Sequence, residues 1–242
     1  MGRGDTLPVV QRDSPFSPGS AWRIAWPIAM VAIGIAALVV AAMLADSMGA
    51  SDDAATAIAT FVGSGIIMAG GIVLMRVLPA AQRRVTLATK GGRWPGIGLG
   101  LAIGLGCVFG SGLVIVAGGE IDPSAKRALE DLDVSVGITW WQIALTTCAL
   151  VIFAPIGEEL LFRGLELRGL VRLMPFAWAA PLSGLVFTAA HLDAYLVWPR
   201  AVALVLVGWV LAWLYRRRGM LASITAHATV NSVAAVALIF QS

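Results

Sequence analysis

The two histidines and two adjacent glutamates are the residues of this chain best suited to chemistry. His191 and His227 are the only histidines among 242 residues, and both lie in or at the edge of apolar runs. Glu158 and Glu159 follow directly after the apolar run ALVIFAPIG. Polar side chains are costly in a hydrocarbon layer, so a functional role is their default interpretation there. We therefore predict that these side chains form one buried polar cluster.

Helical spacing assigns a different part to each glutamate. Glu159 and Arg163 are four residues apart, so they meet on one helix face with the acid first, the better orientation. The pair neutralises Glu159, which could then be structural, while Glu158 points about 100° away toward the bundle interior. His227 and Asn231 share the same spacing and present a two-pronged polar edge.

Composition requires lipid as the solvent for much of this chain. Hydrophobic residues make up 59% and charged residues 13%, and the mean hydropathy is +0.86, whereas soluble domains are about 45–50% apolar and about 25% charged. A crossing needs about 20 apolar residues. We predict an all-α polytopic transmembrane bundle of about seven helices (six to eight), near 24–45, 55–79, 95–118, 139–161, 176–193, 198–215 and 219–240.

The length fits one compact bundle without a second folded domain. The Pro-, Ser- and Gly-rich residues 1–22 are predicted to be a flexible cytoplasmic tail. Residues 23–242 then form a single transmembrane domain, whose catalytic part is expected at about 139–240.

Charge predicts the topology. Every second connection is rich in Lys and Arg, whereas the first and third are mainly acidic, which places the N-terminus in the cytoplasm and the C-terminus outside. The net charge of +3 comes from helix ends, so we expect the lipid bilayer as a partner and no nucleic acid. Richness in Ala, Gly and Val favours a bacterial source, and hence the bacterial cytoplasmic membrane.

The depths of the candidate residues conflict. With the fourth helix running inward, Glu158 falls in its inner third, while His191 lies about 22 Å up a fifth helix that starts near Phe176. A break near Gly164 or Gly169, with residues 165–174 folding back, would reduce the mismatch. Strong tilt of the fifth helix is the alternative.

Three segments, EELLFR, FTAAH and HATVN, occur in this order between residues 158 and 231. They resemble the EExxxR, FxxxH and HxxxN motifs of the CAAX-protease and bacteriocin-processing family of polytopic membrane proteins. All three motifs are complete, and they use both histidines. The chain is similar to the prenyl-protein endopeptidase type within that family.

The resemblance implies hydrolysis of peptide bonds within or beside the membrane. Glu158 would act as general base on a water, and His191 would hold or polarise that water. The oxyanion of the tetrahedral intermediate would accept hydrogen bonds from His227 and Asn231. Supporting roles would fall to Glu159, Arg163 and Phe187.

No cofactor is favoured, and zinc is the alternative. His191, His227 and Glu158 could supply two nitrogens and a carboxylate to zinc. The HExxH helix is absent, so such a site would be assembled across three helices. We favour the metal-free glutamate mechanism.

The expected substrate is a membrane-associated peptide or a protein terminus that carries a lipid or is itself hydrophobic. Two non-proteolytic functions stay open. The chain could be a non-catalytic membrane partner, such as a bacteriocin-immunity or scaffold protein, that keeps the cluster for binding. It could also be a small proton-coupled carrier that uses Glu158 and the histidines as a relay. Neither the cleavage site nor the oligomeric state follows from the sequence.

Overall fold

The computed structural model describes residues 19–131, 139–191 and 197–240. Within these ranges the chain is helical and contains no strand, apart from an isolated bridge between Thr89 and Gly219. The all-α polytopic bundle is therefore confirmed. The helices are α1 Ser20–Ser47, α2 Asp52–Val77, α3 Ala80–Thr86, α4 Arg93–Ile121, α5 Pro123–Asp131, α6 Trp140–Leu170, α7 Phe176–Ala189, α8 Trp198–Arg218 and α9 Met220–Phe240.

A helix covers most of each of the seven predicted apolar stretches, and the last two residues of the fifth, 192 and 193, lie outside the described residues. In the described part of the chain, α1, α2, α4, α6 and α8 are long and apolar enough to cross a membrane, and α7 is a shorter apolar helix of 14 residues. The seventh stretch is α9, of 21 residues. The short helices α3 and α5 were not predicted. Residues 1–18 of the predicted tail lie outside the described residues, and α1 begins at Ser20, inside the segment assigned to the tail.

Helix α6 carries the glutamates and is wound unevenly. Its residues Ala149–Phe153 and Glu159–Glu166 form π-helical segments, on either side of the α-helical turns at Ala154–Glu158. Pro155 lacks the N–H that a regular helix would use. Single π-helical turns inside α-helices are frequent at functional sites, and here the second one begins at Glu159.

A break near Gly164 or Gly169, one of the two ways considered to reconcile the depths, does not occur. Helix α6 continues through both glycines to Leu170, and the chain turns only at residues 171–174. Measured from the turn between α6 and α7, Glu158 therefore lies about 18 Å up α6. His191 lies about 22 Å from the start of α7, so the two residues are at similar heights. The continuous helix removes the expected difference in depth between Glu158 and His191, because α6 extends beyond the predicted end at residue 161 and places Glu158 farther from the turn.

Glycines let the neighbouring helices approach α6 and α9 closely. A Cβ on Gly157 would lie 2.7 Å from the Met68 backbone on α2, so α2 and α6 touch backbone to backbone beside Glu158. Cβ atoms on Gly100 and Gly104 of α4 would lie 2.7 Å and 2.6 Å from carbonyl oxygens of α9. Small residues permit such contacts in lipid, and they fix the two helices that carry Glu158 and His227.

The connection between α3 and α4 packs against the junction of α8 and α9. The backbone N–H of Lys90 donates to the Arg218 carbonyl at 2.9 Å, and its ammonium donates to the Arg216 carbonyl at 2.8 Å. The Tyr215 hydroxyl donates to the Thr86 carbonyl at 3.1 Å. Two of the basic connections thus share one end of the bundle, as the alternating charge pattern requires. The cytoplasmic position of that end stays a prediction.

Candidate active site

Glu158 lies at the meeting point of three helices. Its Oε2 is 3.9 Å from Nε2 of His191 at the end of α7 and 3.9 Å from Nε2 of His227 on α9. This oxygen is buried and makes no hydrogen bond among the described residues. The structure thus brings together the carboxylate and both imidazoles that the sequence singled out, with one unsatisfied carboxylate oxygen facing two ring nitrogens.

Backbone contact fixes the orientation of His191. Its Nδ1 lies 2.9 Å from the carbonyl oxygen of Phe187, one turn earlier in the FxxxH segment. A carbonyl oxygen only accepts, so Nδ1 carries the proton and donates it. In the neutral ring, Nε2 therefore presents its lone pair toward Glu158, as an acceptor for a proton on a bound water or substrate.

His227 is oriented by a carboxylate instead. Its Nδ1 lies 3.1 Å from Oε1 of Glu159, and both side chains are almost wholly buried. Glu159 also accepts a hydrogen bond from the Ser223 hydroxyl, one turn before His227 on α9. A carboxylate behind an imidazole holds the ring orientation and stabilises the imidazolium when it forms.

The Glu159–Arg163 pair predicted from spacing is present and fully buried. Nη1 of Arg163 lies 3.0 Å from Oε1 of Glu159, and Nη2 donates to the Gly208 carbonyl of α8 at 3.0 Å. The guanidinium carbon also lies 4.7 Å from the ring centroid of Phe187. Arg163 therefore connects α6 with α7 and α8 beneath the cluster.

Phe187 packs against both histidines. Its ring centroid lies 4.6 Å from that of His191 and 5.6 Å from that of His227, the latter edge to face. Because Phe187 is 1% exposed, it closes the cluster on the side of Arg163. The side chains of Glu158 and His191 are 13% and 27% exposed, whereas Glu159 and Arg163 have no exposed surface. Access to the cluster is therefore from the Glu158–His191 side.

Asn231 lies one turn beyond His227 and bonds to α6. Its Nδ2 donates to the Leu150 carbonyl at 2.8 Å, within the first π-helical segment. An amide nitrogen has two N–H groups, so one of them remains for another acceptor. The structure thus gives Asn231 a contact that the sequence did not predict, in addition to its expected place beside His227.

Several buried polar contacts were not predicted. Glu166 on α6 is completely buried, and its Oε2 accepts a hydrogen bond from the Ser183 hydroxyl on α7 at 2.6 Å. Ser223 and the Gly208 carbonyl support Glu159 and Arg163. The spacing of Glu166, seven residues after Glu159, places it near the same helix face, and this was the available signal. Serines and a backbone carbonyl give no comparable signal in an apolar run.

A metal would use the atoms that surround Glu158. They are Nε2 of His191, Nε2 of His227 and Oε2 of Glu158, and the two N–O separations of 3.9 Å exceed the roughly 3.3 Å of neighbouring ligands around tetrahedral zinc. Within residues 19–131, 139–191 and 197–240, no group of three His, Cys, Asp or Glu residues has metal-site geometry. The donor types suit zinc, whereas their spacing would have to contract to hold it.

The fold and the cluster define an integral membrane protein whose helices enclose a carboxylate and two imidazoles. Residues 139–233, from the start of α6 into α9, match the family described as Type II CAAX prenyl endopeptidase Rce1-like. This match supports membership of the CAAX-protease and bacteriocin-processing family, and the matched segment contains the whole cluster. That family implies a protease with a peptide or protein substrate in the membrane. Searches of curated proteins and of solved structures gave no match.

Proposed function

We propose that this protein is an intramembrane endopeptidase in which Glu158 activates the attacking water. The observation that carries the proposal is the buried Oε2 of Glu158, which lies 3.9 Å from both imidazole nitrogens and makes no hydrogen bond among the described residues. Buried polar atoms are normally satisfied, and an unsatisfied one calls for an explanation. A water held for reaction, together with a substrate carbonyl, is the explanation that fits these donors and acceptors.

The first step is attack on the peptide carbonyl. Glu158 accepts a proton from the water while the water oxygen bonds to the carbonyl carbon, and the carbonyl oxygen becomes an oxyanion. His191 accepts a second hydrogen bond from the same water through Nε2, because its Nδ1 is engaged by the Phe187 carbonyl. This arrangement orients the water, and positioned general-base catalysis is worth about 10²–10⁴-fold.

The oxyanion accepts a hydrogen bond from Nε2 of His227. That atom donates only when protonated, and because Nδ1 already donates to Glu159, the ring must then be an imidazolium. The Glu159 carboxylate beside Nδ1 stabilises the imidazolium. The second N–H of Asn231 serves as a further donor to the oxyanion. Each such donor is worth about 3–4 kcal/mol in known hydrolases.

Collapse of the intermediate completes the reaction. The carbonyl reforms, the C–N bond breaks, and the amine leaves with the proton that Glu158 had taken from the water. The carboxylate is regenerated, and no external oxidant or co-reactant is consumed. The substrate we propose is a membrane-associated peptide or a protein terminus, with lipidated termini as one subclass.

The test is cleavage of a quenched peptide library by the purified full chain in detergent. We expect Glu158→Gln to lower the rate at least about 10²-fold with folding retained, and His227→Ala to lower it about 10²–10³-fold. The control is Glu120→Gln, an exposed carboxylate of α4, which should cleave at the wild-type rate. Cleavage by Glu158→Gln equal to wild type would contradict the proposal.

A chelation arm separates the glutamate mechanism from the zinc alternative. Cleavage that persists with a strong zinc chelator and disappears in Glu158→Gln supports the glutamate mechanism. Cleavage lost on chelation and restored by added zinc would instead assign Glu158, His191 and His227 as metal ligands.

A further inference from the structure

An apolar groove lies between α1 and α2, away from the Glu158 cluster. Its volume is about 600 Å³, within the range of about 300–1,000 Å³ typical of small-molecule sites. No lining side chain is charged, and the groove extends along α1 from the end at which that helix begins. Its main walls are Trp22, Trp26, Met30, Gly70, Val73 and Val77.

The end of the groove nearest the start of α1 is basic. Arg76 follows the groove residue Ala69 by seven positions, so both lie on nearly the same face of α2, and Arg76 is exposed. Nη1 of Arg83, on α3, donates to the Arg76 carbonyl at 3.3 Å, which holds a second guanidinium at the end of α2. Arg84 follows and is exposed. Three arginines therefore lie at the end of α2 and on α3, at the same end of the bundle as the start of the groove.

We propose that this groove binds one anionic phospholipid. An acyl chain occupies the apolar groove, and the phosphate lies between Arg76 and Arg83. Charge complementarity selects an anionic headgroup, because juxtamembrane arginines attract anionic lipids. The indoles of Trp22 and Trp26 flank the region where the acyl chain meets the headgroup. Tryptophan is enriched at this depth in membranes.

The site has a structural consequence for the cluster. Helix α2 carries the groove on one face, while Met68 on the opposite face contacts Gly157 of α6, the residue before Glu158. A lipid that fills the space between α1 and α2 supports the helix against which the Glu158 segment packs. The proposal is independent of proteolysis, since lipid retention is measured without substrate.

The experiment is native mass spectrometry of the full chain, exchanged into detergent with dioleoyl phosphatidylglycerol or dioleoyl phosphatidylcholine at equal concentrations. We expect one retained phosphatidylglycerol and little phosphatidylcholine. Each arginine replaced in Arg76→Gln and Arg83→Gln should weaken retention about fivefold. The variant Ala69→Trp, which fills the exposed mouth of the groove, should abolish retention.

Matched controls test the location. Ala102→Trp places the same bulk on an exposed position of α4, and Arg127→Gln removes an exposed charge on α5, so both should retain phosphatidylglycerol as wild type does. Equal retention of the two lipids, or full retention by Ala69→Trp, would overturn the proposal. So would loss of farnesylated-peptide binding in Ala69→Trp with phosphatidylglycerol unchanged, because that result would assign the groove to substrate.

Discussion

Glu159 and His227 are joined across α6 and α9 by a contact of 3.1 Å between Oε1 and Nδ1, out of reach of solvent. The same carboxylate oxygen lies 3.0 Å from the Arg163 guanidinium. One buried carboxylate therefore neutralises a cation and orients an imidazole. The adjacent glutamates have separate tasks. Glu158 faces the accessible side of the cluster, whereas Glu159 binds the buried side chains of Arg163 and His227.

Replacing Glu159 should damage both stability and cleavage. In Glu159→Gln the buried guanidinium loses its carboxylate partner at 3.0 Å, and breaking a buried ion pair costs about 3–5 kcal/mol. We expect a much lower melting temperature in detergent and loss of cleavage. Glu158→Gln should lose cleavage but keep its melting temperature, because Oε2 of Glu158 satisfies no partner. Similar melting temperatures for the two variants would contradict this division of tasks.

Backbone contact at Gly157 should make this position intolerant of a methyl group. In Gly157→Ala the new Cβ would lie 2.7 Å from backbone atoms of Met68, so α2 and α6 must separate, at about 1–3 kcal/mol. We expect a lower melting temperature and reduced cleavage. Gly106→Ala on α4 is the matched control, since its Cβ meets nothing within 4 Å. That variant should gain about 0.5–1 kcal/mol from the better helix former, and equal effects at the two sites would refute the argument.

The junction between α8 and α9 should depend on Gly219 for two reasons. Its φ is +87°, and a Cβ there would lie 1.9 Å from the Ala88 carbonyl oxygen. Gly49 has φ +81° but nothing within 4 Å of an added Cβ. Gly49→Ala therefore measures backbone strain alone, about 1–2 kcal/mol, and Gly219→Ala should lower the melting temperature further. If Gly49→Ala proves the more harmful, the packing of residues 88–90 on this junction is not important for stability.

Asp122, at the end of the bundle opposite the α8–α9 junction, should make a small contribution to stability that is lost in acid. Hydrogen bonds from the Ser124 side chain, then from the Trp198 indole and the Ser124 backbone, lower the pKa of this carboxyl below its ordinary value. A lowered pKa means that the stabilisation is complete above the unfolded pKa of about 4 and is lost as pH falls through the folded pKa. Melting temperatures of wild type and Asp122→Asn should thus differ at pH 7 and converge below about pH 4. A constant difference over this range would show that the charge of Asp122 is irrelevant.

The sequence predicted the parts of the site that depend on periodicity and rarity. The only two histidines and the EExxxR segment stand out in apolar runs, and helical spacing paired Glu159 with Arg163 correctly. The depth conflict arose because apolar run length placed the end of the fourth helix near residue 161. Buried polar groups such as Arg163 and Glu166 interrupt the hydropathy signal, although their partners on other helices let α6 continue to Leu170.

Contacts made by common residues could not be predicted in the same way. Ser223 donates to Glu159, and Asn231 donates to the Leu150 carbonyl. Both contacts depend on how α9 is placed against α6, which the Gly100 and Gly104 contacts help to set. π-Helical winding in α6 likewise has no pattern in the local sequence that spacing rules detect. These features belong to the packing between helices, which periodicity within one helix does not encode.

The 14 residues of α7 give a helix of about 21 Å, whereas the hydrocarbon layer is about 30 Å thick. A hydrophobic helix shorter than the bilayer is accommodated by local thinning of the bilayer. His191 follows directly after this short helix. The interface is therefore drawn toward His191, and the water that hydrolysis consumes has a shorter path to Glu158 than a full-length helix would leave.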